Sequence, residues 1–228
     1  MIAILSAAVA PGFALLAFFY LKDRFEPEPF SMVFRMFILG ALLVFPIMFI
    51  QYAFQEEGLM QSPFLSSFVT AATLEEFFKW FIFLYAIYKH TSFDGHYDGI
   101  VYGVSISLGF ATVENILYLL AKGISFAFYR AFFPVSFHAL IGVLMGYYMG
   151  KAKVGPPRDQ FKILSVALII PIIVHGSYDF VLEVWQTSWL FILVPFMIGL
   201  WFMALRKVKL ANQVTADVIS IKQNKKEA

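Results

Sequence analysis

Seven long apolar segments, each close to twenty residues, dominate this sequence and constrain its fold more than any other feature. Short turns rich in charge, glycine and proline separate them, as at 22–29 and 155–159. A hydrocarbon core about 30 Å thick requires roughly 20 apolar residues per helix, so each segment predicts one membrane span. The predicted spans are Ile2–Leu21, Met32–Ala53, Phe64–Tyr88, Gly99–Ala121, Phe128–Met149, Ile163–Leu182 and Ser188–Leu205.

The composition agrees with a membrane protein. Hydrophobic residues make up 61% of the 228 residues and charged residues 14%, whereas soluble domains have roughly 45–50% and 25%. The formal charge of +2 gives no reason to expect a nucleic-acid partner. The chain has no cysteine, which excludes disulfides, thiolate metal sites and thiol nucleophiles. We therefore predict an all-α, polytopic transmembrane helical bundle whose surroundings are the lipid bilayer.

The basic residues predict the orientation of this bundle. Most of the 17 lysines and arginines fall in the first, third and fifth loops and in the C-terminal tail. Loops rich in lysine and arginine stay in the cytoplasm, so we expect the N-terminus outside and the C-terminus in the cytoplasm. Residues 1–206 are expected to form a single transmembrane domain, followed by a basic, polar cytoplasmic tail at 207–228. An eighth helix near Gln55–Pro63, re-entrant or interfacial, would leave this orientation unchanged.

Polar and ionisable side chains inside the apolar segments are the main indication of function, because a buried charge costs at least about 2.5–3.5 kcal/mol to insert. They occur in the third to sixth spans, whereas the first, second and seventh have no comparable group deep in the membrane. At a rise of about 1.5 Å per residue, they converge on one layer between the mid-plane and the outer leaflet. These residues are Glu75, Glu76, Lys79, Glu114, Asn115, His138, His175 and Asp179.

The spacing of these residues predicts contacts within single helices. Lys79 follows Glu75 by four residues and Glu76 by three, and His175 precedes Asp179 by four. Adjacent glutamates lie about 100° apart around a helix, so both can point inward only toward a shared polar cavity. One lysine can neutralise one carboxylate. The other is then available as a general base, although the spacing does not decide which glutamate this is.

Prolines and small residues add two weaker expectations. Pro134 and Pro171 each precede a histidine of the polar layer by four residues and remove a helix hydrogen bond there. Glycines at four-residue spacing, Gly142, Gly146 and Gly150, predict close helix packing rather than chemistry.

Four sequence motifs resemble those of the PrsW family. The members of this family are bacterial intramembrane proteases within the CAAX-protease and bacteriocin-immunity superfamily. The segment 25–29 is also similar, and the resemblance extends to about Arg206. It implies a multi-pass protein of the bacterial cell membrane that performs the site-one cleavage of a membrane-anchored anti-sigma factor in envelope-stress signalling. The motifs are Glu75-Glu76-Phe77-Phe78-Lys79, Phe110-Ala111-Thr112-Val113-Glu114-Asn115, Phe137-His138-Ala139-Leu140 and His175-Gly176-Ser177-Tyr178-Asp179.

The resemblance also implies catalytic roles. Glu75 would activate water, Glu76 would hold the water or shuttle its proton, and His175 would polarise the water or the substrate carbonyl. Wider relatives often carry asparagine at the position of Asp179. An ionised aspartate cannot donate a hydrogen bond, so we expect it to orient His175. The supporting, orienting or oxyanion-binding residues would be Lys79, Glu114, Asn115, His138 and Asp179, with Asn115 or His138 as the oxyanion donor.

Three alternatives remain open from the sequence. The leading hypothesis needs no metal or other cofactor, but Glu75, Glu76, His138 and His175 could instead bind zinc with one open position. The same charges could form the proton relay of a transporter or sensor. A non-catalytic immunity or scaffold protein would not need them for chemistry. On the leading hypothesis, the partner is a single-span membrane protein substrate.

Overall fold

The apolar segments form helices throughout, and the computed structural model describes the backbone of residues 1–227 and the side chains of residues 1–216. No strand occurs in the described backbone, so the all-α prediction is confirmed. Two π-helices, Ser66–Thr73 and Ala131–Val135, and the 3₁₀-helix Ile124–Phe126 join shorter pieces into continuous helical runs at 63–86 and 124–154. The α-helices are α1 (Ile2–Tyr20), α2 (Phe30–Glu56), α3 (Pro63–Leu65), α4 (Leu74–Ala86), α5 (His96–Lys122), α6 (Ala127–Arg130), α7 (Ser136–Val154), α8 (Pro157–Val184) and α9 (Trp189–Glu227).

Six helices of the described chain are long and apolar enough to cross a membrane. The predicted span Phe64–Tyr88 is not among them, because every 18-residue stretch of the helical run 63–86 contains the three charged residues Glu75, Glu76 and Lys79. The additional helix considered near Gln55–Pro63 is absent. Residues 57–62 form a turn instead, in which Gly58 and Met60 have positive φ angles that end the helix.

The helices α5 and α7 form the centre of the bundle, and glycines bring their backbones together. A Cβ atom added at Gly146 would overlap the carbonyl oxygen of Gly99, and one at Gly150 would overlap that of His96. Gly142 faces the backbone of Gly103 in the same way. The prediction that these glycines serve close packing is therefore confirmed.

The last helix extends the bundle beyond the predicted domain end at residue 206. Val208 and Ala211 are buried against the core, and the Asn212 side chain donates to the backbone oxygen of Lys22 at 3.2 Å. The described part of the predicted tail, residues 207–216, thus begins as a packed part of α9.

A buried acid lies in the turn between α1 and α2. Glu28 is 5% exposed, and its carboxyl group accepts a hydrogen bond from the Tyr102 hydroxyl. Its backbone oxygen accepts another from the hydroxyl of Tyr20 at 2.9 Å. Burial raises the pKa of Glu28 to about 9, so this group is neutral near pH 7.

Candidate active site

The segment before the two glutamates is a π-helix, and this irregular turn sets where they point. It runs from Ser66 to Thr73, and the Thr73 hydroxyl donates to the backbone oxygen of Phe68 at 2.7 Å. The Phe68 ring packs directly on Gly176 of α8, where there is no room for a Cβ atom. π-Helical turns inside helices often mark functional sites. Glu75 follows at once in the first turn of α4.

The α8 helix is also held to this segment by hydrogen bonds near its C-terminal end. The carboxylate of Glu183 accepts from the Ser66 hydroxyl at 2.5 Å and from the Ser67 hydroxyl at 3.2 Å. Glu183 lies two helical turns beyond His175, so these bonds fix the helix that carries the histidine.

Lys79 lies at the centre of the polar cluster and is fully buried. Its ammonium group donates to Glu76 Oε1 at 2.8 Å and to Glu75 Oε2 at 3.4 Å. His138 Nδ1 is 3.3 Å away, and the ammonium also lies over the Phe110 ring, 4.3 Å from its centroid. One positive charge thus faces two carboxylates, so the second negative charge needs another partner.

His175 supplies the second partner. Its Nδ1 lies 2.8 Å from Glu76 Oε1, and its Nε2 lies 3.3 Å from Asp179 Oδ2. Both ring nitrogens therefore face carboxylate oxygens, and both can donate only when the ring is an imidazolium. The structure places Asp179 where it can orient His175, at the contact that the four-residue spacing predicts.

His138 connects the cluster to Glu114. Because an ammonium group can only donate, Nδ1 of His138 accepts from Lys79 and its Nε2 carries the hydrogen. Nε2 lies 3.2 Å from Glu114 Oε2, and Glu114 Oε1 lies 3.2 Å from Nη2 of Arg130. An ion pair from Arg130 to Glu114 and polar contacts from Glu114 through His138 to Lys79 therefore form one chain, which fixes the orientation of the His138 ring.

Asn115 does not face this cluster. Its Nδ2 donates to the backbone oxygen of Ala8 at 2.8 Å, and its Oδ1 accepts from Nε of Arg130 at 2.9 Å. Both ends of the amide are thus occupied in joining α1, α5 and α6. The geometry gives Asn115 a packing role between these helices, and its amide has no contact with Glu75, Glu76 or Lys79.

The side chain of Glu75 is more exposed than that of Glu76. The Glu75 side chain is 12% exposed, whereas those of Glu76 and Lys79 are 0% exposed. Glu75 forms part of the wall of a cavity of about 420 Å³ between the end of α2 and the π-helix, and Gln51, Phe54 and Thr70 line it as well. We call this cavity the α2 groove. It is the route by which water or a peptide could reach the carboxylates.

A metal does not fit the centre of this cluster as it is arranged. Ligand atoms of Glu75, Glu76 and His138 lie within 4.8 Å of one another, a spacing that could hold an ion. The ammonium of Lys79, however, already contacts all three residues at 2.8–3.4 Å. It takes up the lone pair of His138 that a metal would need, and its charge would repel a second cation. The residues therefore provide their own cation at this position.

Two residues of functional interest, Arg130 and Gln51, are not predicted by the sequence motifs. Arg130 lies near the start of a predicted span, and in the structure it is 5% exposed and paired with Glu114. Gln51 is neutral and lies near the end of a predicted span, where a polar amide is a weak indication of function. Both positions fall within predicted membrane spans, Phe128–Met149 and Met32–Ala53, and that placement was the available signal.

Comparison with known proteins gives a consistent result over nearly the whole chain. Residues 28–205 match the family described as PrsW family intramembrane metalloprotease. The chain is 53% identical over 214 residues to Protease PrsW of Bacillus subtilis (strain 168), covering 94% of this chain and 98% of that protein. It is 54% identical over 215 residues to Protease PrsW of Oceanobacillus iheyensis, covering 94% and 99%.

A more distant relative shares the same name. Protease PrsW of Clostridioides difficile (strain 630) is 32% identical over 197 residues, which cover 82% of each chain. No solved structure matches this chain.

Proposed function

Because the chain belongs to the PrsW family of intramembrane proteases, we propose that it performs the site-one cleavage of a membrane-anchored anti-sigma factor, using water activated by Glu75. Family membership makes the protein a peptidase of the bacterial membrane that crosses the bilayer several times and acts on membrane proteins. Because the chain is a peptidase, we no longer consider the transporter, sensor and scaffold functions that the sequence left open. The choice of an anti-sigma factor as substrate is part of the proposal.

The observation that carries the assignment of the base is the difference between the two adjacent glutamates. Glu76 is sealed, and one of its oxygens is shared by Lys79 and His175 at 2.8 Å each. Glu75 opens into the α2 groove and has one longer contact to Lys79, at 3.4 Å. A general base must lie within hydrogen-bond reach of the water from which it takes a proton. Glu75 borders a cavity that water can enter, whereas Glu76 is sealed and serves to hold Lys79 and His175.

The proposed reaction follows from this arrangement. Glu75 takes a proton from water, and the resulting hydroxide adds to the carbonyl carbon of the scissile peptide. The C–N bond then breaks, and Glu75 passes its proton to the departing amine nitrogen. His175, held by Asp179, and Lys79 supply positive charge close to the developing oxyanion. The chain from Arg130 to His138 keeps Lys79 in place, and no step requires a metal.

The proposed topology suits a substrate with one membrane span. We take the helical run 63–86 as a seventh span, since 24 residues at about 1.5 Å each can cross a core about 30 Å thick. With the N-terminus outside, the turn at 57–62 and the mouth of the α2 groove lie on the extracellular face. An extracellular segment next to the span of an anti-sigma factor could enter there.

Cleavage of a tagged, co-expressed single-span anti-sigma factor tests the proposal. Glu75→Gln should abolish cleavage, and Glu76→Gln and His175→Ala should reduce it strongly, because they remove the base and its charged supports. Glu57→Gln is the matched control, since it makes the same chemical change at an exposed glutamate beside the α2 groove. Undiminished cleavage by the first three variants would end the proposal.

A metal-dependent protease is the second candidate, favoured by the ligand spacing of Glu75, Glu76 and His138 and by the wording of the family description. On this view Lys79 would have to leave the centre before an ion could bind. Metal analysis of the purified protein, with cleavage measured before and after chelator treatment, separates the two. Full activity without bound metal would remove the second candidate, and loss of activity that is restored by zinc would favour it.

A further inference from the structure

The arrangement of donors around Glu75 leaves the substrate oxygen without an assigned partner. Asn115 is engaged by Ala8 and Arg130, and both nitrogens of His138 are taken by Lys79 and Glu114. A protease needs a donor aimed at the oxygen that becomes negative in the tetrahedral intermediate. That donor must also line the space that the peptide enters, which here is the α2 groove.

Gln51 meets both requirements. It lies on α2, lines the α2 groove together with Glu75, and its Nε2 is 3.4 Å from Glu75 Oε1 and 3.4 Å from the backbone oxygen of Thr70. Both neighbours are acceptors, so the nitrogen end of the amide must be the end that faces them. At 3.4 Å these contacts are long for hydrogen bonds, and the amide can therefore turn to a stronger acceptor at little cost.

Thr70 offers a second donor at the same place. Its Oγ1 is buried and, within the described side chains, has no hydrogen-bond partner. Thr70 also lines the α2 groove, and its own backbone oxygen contacts Gln51. Buried hydroxyls are normally paired, so the unpaired Thr70 hydroxyl is available to bond a ligand atom.

From these contacts we infer that Gln51, together with Thr70, binds the carbonyl oxygen of the scissile peptide and stabilises the oxyanion formed when water attacks. The inference rests on the proposed function and deepens it by naming the oxyanion site. The carbonyl oxygen would lie between the Gln51 amide and the Thr70 hydroxyl, with its carbon facing the water held by Glu75. Gln51 then becomes a catalytic residue contributed by α2, a helix whose predicted span has no ionisable group deep in the membrane.

Kinetics with purified protein in detergent test the inference, with a tagged single-span anti-sigma factor as substrate. Gln51→Met keeps the length of the side chain and removes its donor, so it should lower kcat by about 10²–10³-fold with little change in KM. Thr70→Val, which keeps the shape and removes the hydroxyl, should lower kcat in the same way. Gln186→Leu is the matched control, because Gln186 is an exposed glutamine in the turn before α9, outside the site.

The pH profile separates an oxyanion donor from a residue that merely holds Glu75. A donor should lower kcat at every pH and leave the acid limb of the profile unmoved, whereas loss of support for Glu75 would shift that limb. A shifted limb, or wild-type kcat in both Gln51→Met and Thr70→Val, would overturn the inference while the wild-type enzyme still cleaves. An inactive wild-type enzyme would overturn the proposed function, and the inference with it.

Discussion

Replacing Lys79 with methionine should destabilise the protein strongly, because the buried Lys79 ammonium bonds to both glutamates. The substitution keeps most of the side-chain volume and removes an ammonium that is 0% exposed and bonded to Glu76 at 2.8 Å and Glu75 at 3.4 Å. Removing one member of a buried ion pair costs roughly 3–5 kcal/mol, and here His175 would remain as the single cation beside the two glutamate carboxylates. At roughly 2–4 °C per kcal/mol for a chain of this size, the Tm should fall by about 6–20 °C.

Thermal unfolding of the purified protein in detergent measures this loss. Adding Glu76→Gln to Lys79→Met removes one of the two carboxylates left beside His175, so the double variant should melt above Lys79→Met alone. Lys122→Met, at the exposed end of α5, is the control and should leave the Tm unchanged. A Tm for Lys79→Met within about 2 °C of wild type would refute the reasoning, because it would mean that the two glutamates need no cation besides His175.

Two further predictions concern parts of the bundle away from the site. The carboxyl of Glu28 has a pKa of about 9 in the folded protein against 4.5 ordinarily, so its contribution to stability is complete below pH 4.5 and is lost as the pH rises toward 9. Glu28→Gln should flatten that part of the Tm–pH curve, and parallel curves for the two proteins would contradict the assignment. Gly146→Ala should cost at least about 1–3 kcal/mol, because its methyl group would overlap the Gly99 carbonyl. The control is an alanine at the loosely packed Gly199, and an equal Tm for both variants would contradict the packing argument.

The helices and the local pairs could be predicted from the sequence because they depend on short-range chemistry. In the bilayer core no water is available to the backbone N–H and C=O groups. An apolar segment of about twenty residues must therefore satisfy its own backbone hydrogen bonds, which requires a helix. Within one helix, residues three or four positions apart share a face. The contacts of Lys79 with Glu75 and Glu76, and of His175 with Asp179, follow from that spacing alone.

Contacts between helices were decided only by the tertiary structure, because they depend on how each helix is rotated about its axis. Each residue adds about 100°, and the π-helix before Glu75 changes that angle in a way that composition does not reveal. Packing therefore determined that Glu75 opens to the α2 groove while Glu76 is sealed, that Asn115 turns toward α1, and that Gln51 joins the site. The sequence predicted which polar groups lie in one layer of the membrane, and the packing of seven helical segments decided which of them meet.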